Sequence, residues 1–308
     1  MRCLNLVRRL RGRAYDRSYT GFPSNRPRFN VFTWLVGGRE RVIHDYPLCS
    51  FPTFTCLQTR TVSARKGDHD ITQNLRLVTA RGQEASPGFE ELPRPILPLT
   101  ESDRAFAREK MSDLEEDGPV VAMHPGSSAG RFHMQSAKRW PARKFVATAR
   151  MLAEELGATV PVICGPDETE LRSAFVPVAG ELSRGRICFP TGRIRQMAAL
   201  VEGCELLISN DSGLMHIATA VRTPVIALFG PTNRSRTGPV WKDCRIMTGR
   251  ACSARECFPY PFESTWSGIT CEARRCWEGL NPRRVLGVAE QMLTEPFERD
   301  VPGSLTLT

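Results

Sequence analysis

No apolar run in this 308-residue chain approaches the roughly 20 residues a helix needs to cross a bilayer; the stretch 224–229 is among the longest. The N-terminus also lacks the continuous apolar core of a secretory signal, so a soluble chain in a reducing compartment is expected. Lysine is scarce, with 5 residues against 37 arginines. No Gly-x-x-x-x-Gly-Lys-Ser/Thr occurs anywhere, and no Gly-x-Gly-x-x-Gly follows the first strand of the regular part of the chain. P-loop nucleotide hydrolysis and dinucleotide-dependent oxidoreduction therefore lose their support. A 41% hydrophobic and 24% charged composition also excludes global disorder and collagen-like or coiled-coil architectures.

What is present is unevenly distributed. At about 100–200 residues per domain, the length suggests two domains. The net charge is +9, yet residues 1–66 alone hold thirteen basic residues against three acids, which leaves the remainder close to neutral. Such an end can meet the phosphates of a nucleic acid, an anionic lipid or an anionic acceptor, or it can simply be a solvated arginine-rich face. Residues 1–17 are Arg-rich and nearly free of acids, superficially like a transit peptide. Eleven cysteines, an odd number, argue for free thiols or a metal site rather than a disulfide framework. Cys252, Cys257, Cys271 and Cys276 give a C-x4-C…C-x4-C pattern that zinc tolerates loosely, with ordinary thiols as the plainer reading.

From residue 119 onward the pattern is regular. Short β-branched strands are expected at 119–123, 159–164, 186–189, 206–209 and 225–229, and helices at 141–156, 167–175, 194–201 and 212–221. Pro141 suits a helical first turn, Phe145, Ala149, Leu152 and Leu156 share one face, and Gly157 suits a C-cap. Strands without strict alternation that alternate with helices predict a parallel sheet covered on both faces, a Rossmann-like α/β domain. Residues 1–100 show only two strand-like stretches, 15–21 and 40–44. The proline-rich 92–99 reads as a linker and 101–116 as a helix. The expected organisation is a partial N-terminal α/β domain over 1–100, a complete Rossmann-like domain over 101–293 and a tail over 294–308.

Four loops of the second domain leave strands at one edge, where open parallel sheets bind ligands. In Asp211-Ser212-Gly213, Ser212 and Gly213 place free N–H groups at a helix start, suited to a phosphate. Asp211 would repel that phosphate if bare, so it caps the helix or bonds a sugar hydroxyl. His216 follows on the same helix as a supporting residue. The loop from His124 through Ser127 and Ser128 to Lys138 puts a cation just before a helix N-terminus, a poor choice for stability unless an anion lies between. Asp167 and Glu168 suit the two hydroxyls of a ribose, and Gly230-Pro231-Thr232 adds a turn and a hydroxyl. Together the four loops describe a nucleotide diphosphate site.

Asp211-Ser212-Gly213-x-x-His216-x-Ala218, Pro224-x-x-x-Leu228-Phe229-Gly230-Pro231-Thr232, His124-Pro125-Gly126 and Lys138-x-Trp140-Pro141 resemble glycosyltransferase family 9, the ADP-heptose:lipopolysaccharide heptosyltransferases. Cys271…Cys276 followed by Asn281-Pro282-x-x-Val285 is similar to the same family, so the resemblance covers about 118–293. It implies two Rossmann-like domains in the glycosyltransferase B arrangement, with the donor held by the C-terminal one. It also implies inverting transfer of a heptose or related sugar from an ADP-sugar to a lipopolysaccharide-core acceptor. No metal or other cofactor is implied. By resemblance Lys138 meets the donor phosphates, Asp167 or Glu168 the ribose, and Asp211 with Ser212-Gly213 the diphosphate and sugar.

The family's opening Ser-x-x-Gly-Asp, whose Asp is the expected general base, has no match, so the chain reads as N-terminally truncated with its base unassigned. Asp16 lies at a different point in the pattern. A catalytically inactive donor-binding protein and a sugar-nucleotide epimerase of the same fold are the alternatives. The expected setting is cytoplasmic, peripheral at the inner membrane face, with an anionic glycolipid rather than nucleic acid as partner.

Overall fold

The computed structural model describes residues 2–24, 26–46, 53–79, 92, 94–112, 118–127, 135–183, 185–250 and 275–295. The chain divides into two compact units, the first mainly Met1–Leu92 and the second mainly Pro93–Arg234 with Gly238–Arg255 and Thr270–Thr308.

The first unit runs α1 (Arg2–Arg11), β1 (Arg17–Thr20), α2 (Pro27–Val36), β2 (Glu40–Asp45), β3 (Arg60–Ser63) and α3 (Asp70–Val78). Its strands are parallel, in the order β1-β2-β3. β1 and β2 lie where the sequence places strands, whereas β3 and the helices are additional. The reason is visible in what they bury. α2 turns Asn30, Thr33 and Val36 inward, and α3 turns Thr72, Gln73, Arg76 and Leu77 inward, so polar residues occupy the stripe where an apolar period would be sought. Several of these polar groups are paired, which lowers the cost of burying them: Asn30 donates to the Thr53 carbonyl at 2.7 Å. His44 of β2 is buried between the carbonyls of Val62 at 3.0 Å and Gln73 at 2.8 Å, joining β2 to β3 and α3.

The second unit begins with α4 (Glu101–Met111), closed at its N-terminus by a Thr100/Asp103 capping box. It continues through β4 (Val121–His124), the single turn α5 (Gln135–Lys138), α6 (Ala142–Leu156), β5 (Val160–Pro161), α7 (Thr169–Ser173), α8 (Val176–Glu181) and β6 (Ile187–Cys188). Next come α9 (Ile194–Glu202), β7 (Leu206–Asn210), α10 (Gly213–Ala220), β8 (Val225–Phe229), α11 (Arg234–Thr237), β9 (Cys244–Thr248) and α12 (Pro282–Thr294). Pro141 sits at the N-cap, one residue before the helical position expected of it, and Gly157 closes α6 in the left-handed region at φ 61°.

All strand pairs are parallel: β4-β7-β8-β9 form one ladder and β5-β6 another. Bridges Val120↔Thr159 and Met123↔Val162 join β5 to β4, giving the spatial order β6-β5-β4-β7-β8-β9. The direction of strand progression therefore reverses between β4 and β7, the place where doubly wound sheets open a crevice.

Both faces of this sheet are covered, and period-two alternation splits each strand between two cores. Val121, Met123, Leu206, Ile208, Ile226 and Leu228 pack with Phe145, Ala149 and Leu152 of α6 and Val285 of α12. Ala122, Leu207, Val225, Ala227 and Phe229 pack with α9, with Leu214 and Met215 of α10 and with Ala107 of α4.

Candidate functional site

The reversal point is built from the ends of β4 and β7. Asn210, the last residue of β7, is fully buried and ties the two sides together. Its side chain accepts the Trp140 N–H at 2.9 Å and donates to the Pro125 carbonyl at 2.8 Å and the Gly126 carbonyl at 3.3 Å. The loop after β4 and the segment entering α6 are thus fixed to the end of β7 by one carboxamide.

Beside it, Lys138 Nζ lies 3.2 Å from Asp211 Oδ2, with the lysine side chain 24% and the aspartate 8% exposed. Asp211 is therefore not a bare carboxylate, since Lys138 offsets its charge, and Lys138 has an anion of the protein beside it. Ser212 occupies the N-cap of α10 but makes no side-chain cap bond, its hydroxyl meeting that of Ser209 at 3.0 Å. The first turn of α10 keeps the partial positive charge of an uncapped helix start. Open space surrounds the position a Cβ would take on Gly213. His216 lies on α10 one turn beyond Ser212, half-buried.

The two acids of the third loop have different surroundings. Asp167 is exposed. Glu168 is buried, and its carboxylate accepts the Ser127 N–H at 3.1 Å and the Gly165 N–H at 2.8 Å, with Arg139 at 3.3 Å. The packing is close enough that a Cβ on Gly126 would fall 2.0 Å from Glu168 Oε1. Glu168 thus locks the loop after β4 to the loop after β5. His124 is held in the same layer by an Nδ1 bond to the Ile163 carbonyl at 2.8 Å, and burial pushes its pKa below the ordinary value.

Two hydroxyls at this edge, Ser127 Oγ and Thr232 Oγ1, are buried without a hydrogen-bond partner among the described residues. Gly230 lies under the indole of Trp277, where a Cβ would come within 2.4 Å of Cζ2, and Pro231 follows half-buried. Beyond the ends of β5 and β6 a cavity of about 300 Å³ is lined by Cys164, Pro166, Glu168, Thr169, Arg172 and Phe189, among others. Arg172 stacks on the Phe189 ring at 5.1 Å.

The structure therefore brings Ser127, Lys138, Glu168, Asp211, Ser212 and Gly213 to one sheet edge, as their places in the loops imply. Ser128, Cys252, Cys257 and Cys271 lie outside the described residues, and Cys276 is half-buried near Trp277. No group of three or more potential metal-ligating side chains occurs among the described residues, and among those residues no helix is long and apolar enough to cross a membrane. Asn210, Arg139 and Trp277 are the site residues the sequence does not single out. An Asn directly before an Asp-Ser-Gly helix start at a strand end was the available signal for the first.

Comparison with known proteins bears on the family and the fold. The chain is 28% identical over 200 residues to lipooligosaccharide heptosyltransferase 2 of Haemophilus influenzae, covering 60% of this chain and 54% of that protein. It spans about half the length of the curated relatives it matches. Its fold is that of the Escherichia coli ADP-heptose lps heptosyltransferase II structure, with a TM-score of 0.69 at 20% identity over 94% of this chain and 80% of that one. A glycosyltransferase of family 9 from Veillonella parvula gives a TM-score of 0.71 at 20% identity, covering 96% and 78%. The sequence pattern of glycosyltransferase family 9 (heptosyltransferase) matches residues 3–262, extending well before the motifs at 118–293. The chain belongs to glycosyltransferase family 9, the heptosyltransferases.

Proposed function

We propose that the second unit binds an ADP-sugar through its diphosphate, in a protein that transfers a heptose or related sugar to a lipopolysaccharide-core acceptor with inversion. The observation that carries this reading is the Lys138–Asp211 pair beside the uncapped N-terminus of α10, at the reversal point of the sheet of a family 9 chain. A diphosphate here would meet the ammonium of Lys138, the N–H groups of the first turn of α10 and the orphaned hydroxyls of Ser127 and Thr232. Asp211 is left to accept from a sugar hydroxyl. The cavity beyond β5 and β6 takes the nucleoside, with Arg172 and Phe189 offering a flat face. Asp167, exposed and adjacent in sequence to the lining residues Pro166 and Glu168, is the freer acceptor for ribose hydroxyls, because Glu168 already serves two N–H groups and Arg139.

Transfer proceeds by in-line displacement. A base removes the proton of the acceptor hydroxyl, its oxygen attacks the anomeric carbon, and the bond to the diphosphate oxygen breaks as ADP leaves. The charge growing on that oxygen is what Lys138 and the helix start stabilise, without reorganising, because Asn210 and Glu168 have already fixed the loops. No residue of this chain is assigned as the base, and no metal is required in this scheme. The basic first 66 residues provide the charge complementary to an anionic glycolipid acceptor.

Calorimetric titration with ADP tests the reading. Lys138→Ala removes one charge-assisted hydrogen bond and weakens binding about tenfold or more, a loss of ~1.5–3 kcal/mol. A folded sample that binds neither ADP nor an ADP-sugar overturns the assignment.

A further inference from the structure

We propose that Trp277 is a positioning residue for the diphosphate site, holding Lys138 and the Gly230 loop in place from the other end of the second unit; the inference rests on the donor-site reading above. Lys138 ends α5, a single helical turn, so little of its placement comes from its own element. The residue before it is secured from afar, because the Trp277 indole N–H donates to the Ala137 carbonyl at 3.0 Å. The six-membered ring of the same indole lies against Gly230 so closely that no side chain fits there. One side chain, 2% exposed, thereby fixes the approach to Lys138 and the turn after β8.

The segment carrying Trp277 is itself clamped. Lys144 Nζ, on the first turn of α6, donates to the Trp277 carbonyl at 3.1 Å and the Leu280 carbonyl at 2.7 Å, and the Trp140 indole N–H reaches the Leu280 carbonyl at 3.2 Å. On its other side, the Arg250 N–H donates to the Glu278 carbonyl at 2.6 Å. Trp277 touches neither Lys138 nor Asp211 by any of these bonds. It acts through Ala137, and its removal frees the turn without altering a group that meets the ligand.

The test is calorimetry of the full chain with ADP and with adenosine. Trp277→Phe keeps a ring over Gly230 and deletes the N–H, so ADP binding weakens about three- to tenfold while adenosine binding stays within about twofold. In a Lys138→Ala background the same substitution produces no further loss, since it works only through that lysine. An ADP affinity within about twofold of the wild type, an equal loss for ADP and adenosine, or losses that add in the double variant each overturn the inference while leaving the donor site standing. A folded wild-type chain that does not bind ADP overturns both. Should Trp277→Phe fail to fold, Lys144→Met releases the Trp277 and Leu280 carbonyls without touching the indole. It is then expected to show the same selective loss for ADP, and its absence refutes the inference.

Discussion

Replacing Asn210 by alanine isolates how much the reversal point depends on one carboxamide. The residue is fully buried and makes three hydrogen bonds, one accepted from the Trp140 N–H and two donated to the carbonyls of Pro125 and Gly126. Alanine leaves the Trp140 N–H without its partner in a dry interior, a cost of about 1–3 kcal/mol. The lost donations to the two carbonyls add roughly 0.5–1.5 kcal/mol each, so the total is about 4 kcal/mol with a range of ~2–6. For a unit of this size that lowers the thermal midpoint by about 8–16 °C. Asn210→Asp sharpens the test, because it keeps the acceptor for Trp140 and turns an oxygen toward two carbonyls. It should destabilise at least as much near neutral pH and recover partly on acidification. Near-UV circular dichroism melts of the three proteins give the comparison. A midpoint for Asn210→Ala within about 2 °C of the wild type would refute the reasoning, as it would show the loops held by other means.

Other perturbations address separate parts of the structure. Burial, the largest influence, pushes the pKa of His44 and of His124 below the ordinary 6.5, against carbonyl partners that favour the charged form. Below pH 6.5 the unfolded chain takes up protons that the folded chain refuses, so stability present above that pH is lost as the pH falls through the folded values. Denaturation midpoints should therefore be lower at about pH 5.5 than at about 7.5, and an equal or higher midpoint contradicts the assignment. Among the described cysteines, burial raises the thiols of Cys164 and Cys244 to about 12 and of Cys188 to about 11, whereas Cys3 and Cys56 are exposed. Alkylation of the native protein, read by mass spectrometry, should mark Cys3 and Cys56 well before these three. Gly126→Ala sets a methyl group 2.0 Å from Glu168 Oε1 and must displace that carboxylate from its N–H partners, at about 1–3 kcal/mol. An unchanged urea midpoint would show that the two loops are not locked as described.

The parts of the fold legible in the sequence share a physical cause. β7 and β8 are buried on both faces and contain runs of apolar residues, so Leu206–Asn210 and Val225–Phe229 stand out without any partner being known. α6 is equally plain, because its inward stripe of Phe145, Ala149 and Leu152 is apolar and Gly157 ends it. α2 and α3 are hidden because Asn30, Thr33, Thr72, Gln73 and Arg76 face inward where an apolar stripe would be sought, and Asn30 pairs with the Thr53 carbonyl, 23 residues further along the chain. The site divides in the same way. Asp211, Ser212, Gly213 and Lys138 advertise their chemistry by residue type at a strand end. Glu168 is acidic in the right loop, yet its buried role depends on the N–H groups of Ser127 and Gly165. Asn210 and Trp277 act across long sequence separations, which periodicity and local spacing do not encode.

The bonds from Trp277 to Ala137 and from Trp140 to Leu280 each span 140 residues. At a synthesis rate of about 5–20 residues per second, Trp140 leaves the ribosome some ~7–28 s before Leu280 exists to meet it. Most of the sheet can assemble in that interval, since β4 through β9 all precede the segment. The Trp277 bond to the turn carrying Lys138 therefore forms only after the six strands of this sheet have been made, so in a growing chain the sheet comes first and this indole anchor is added to it later.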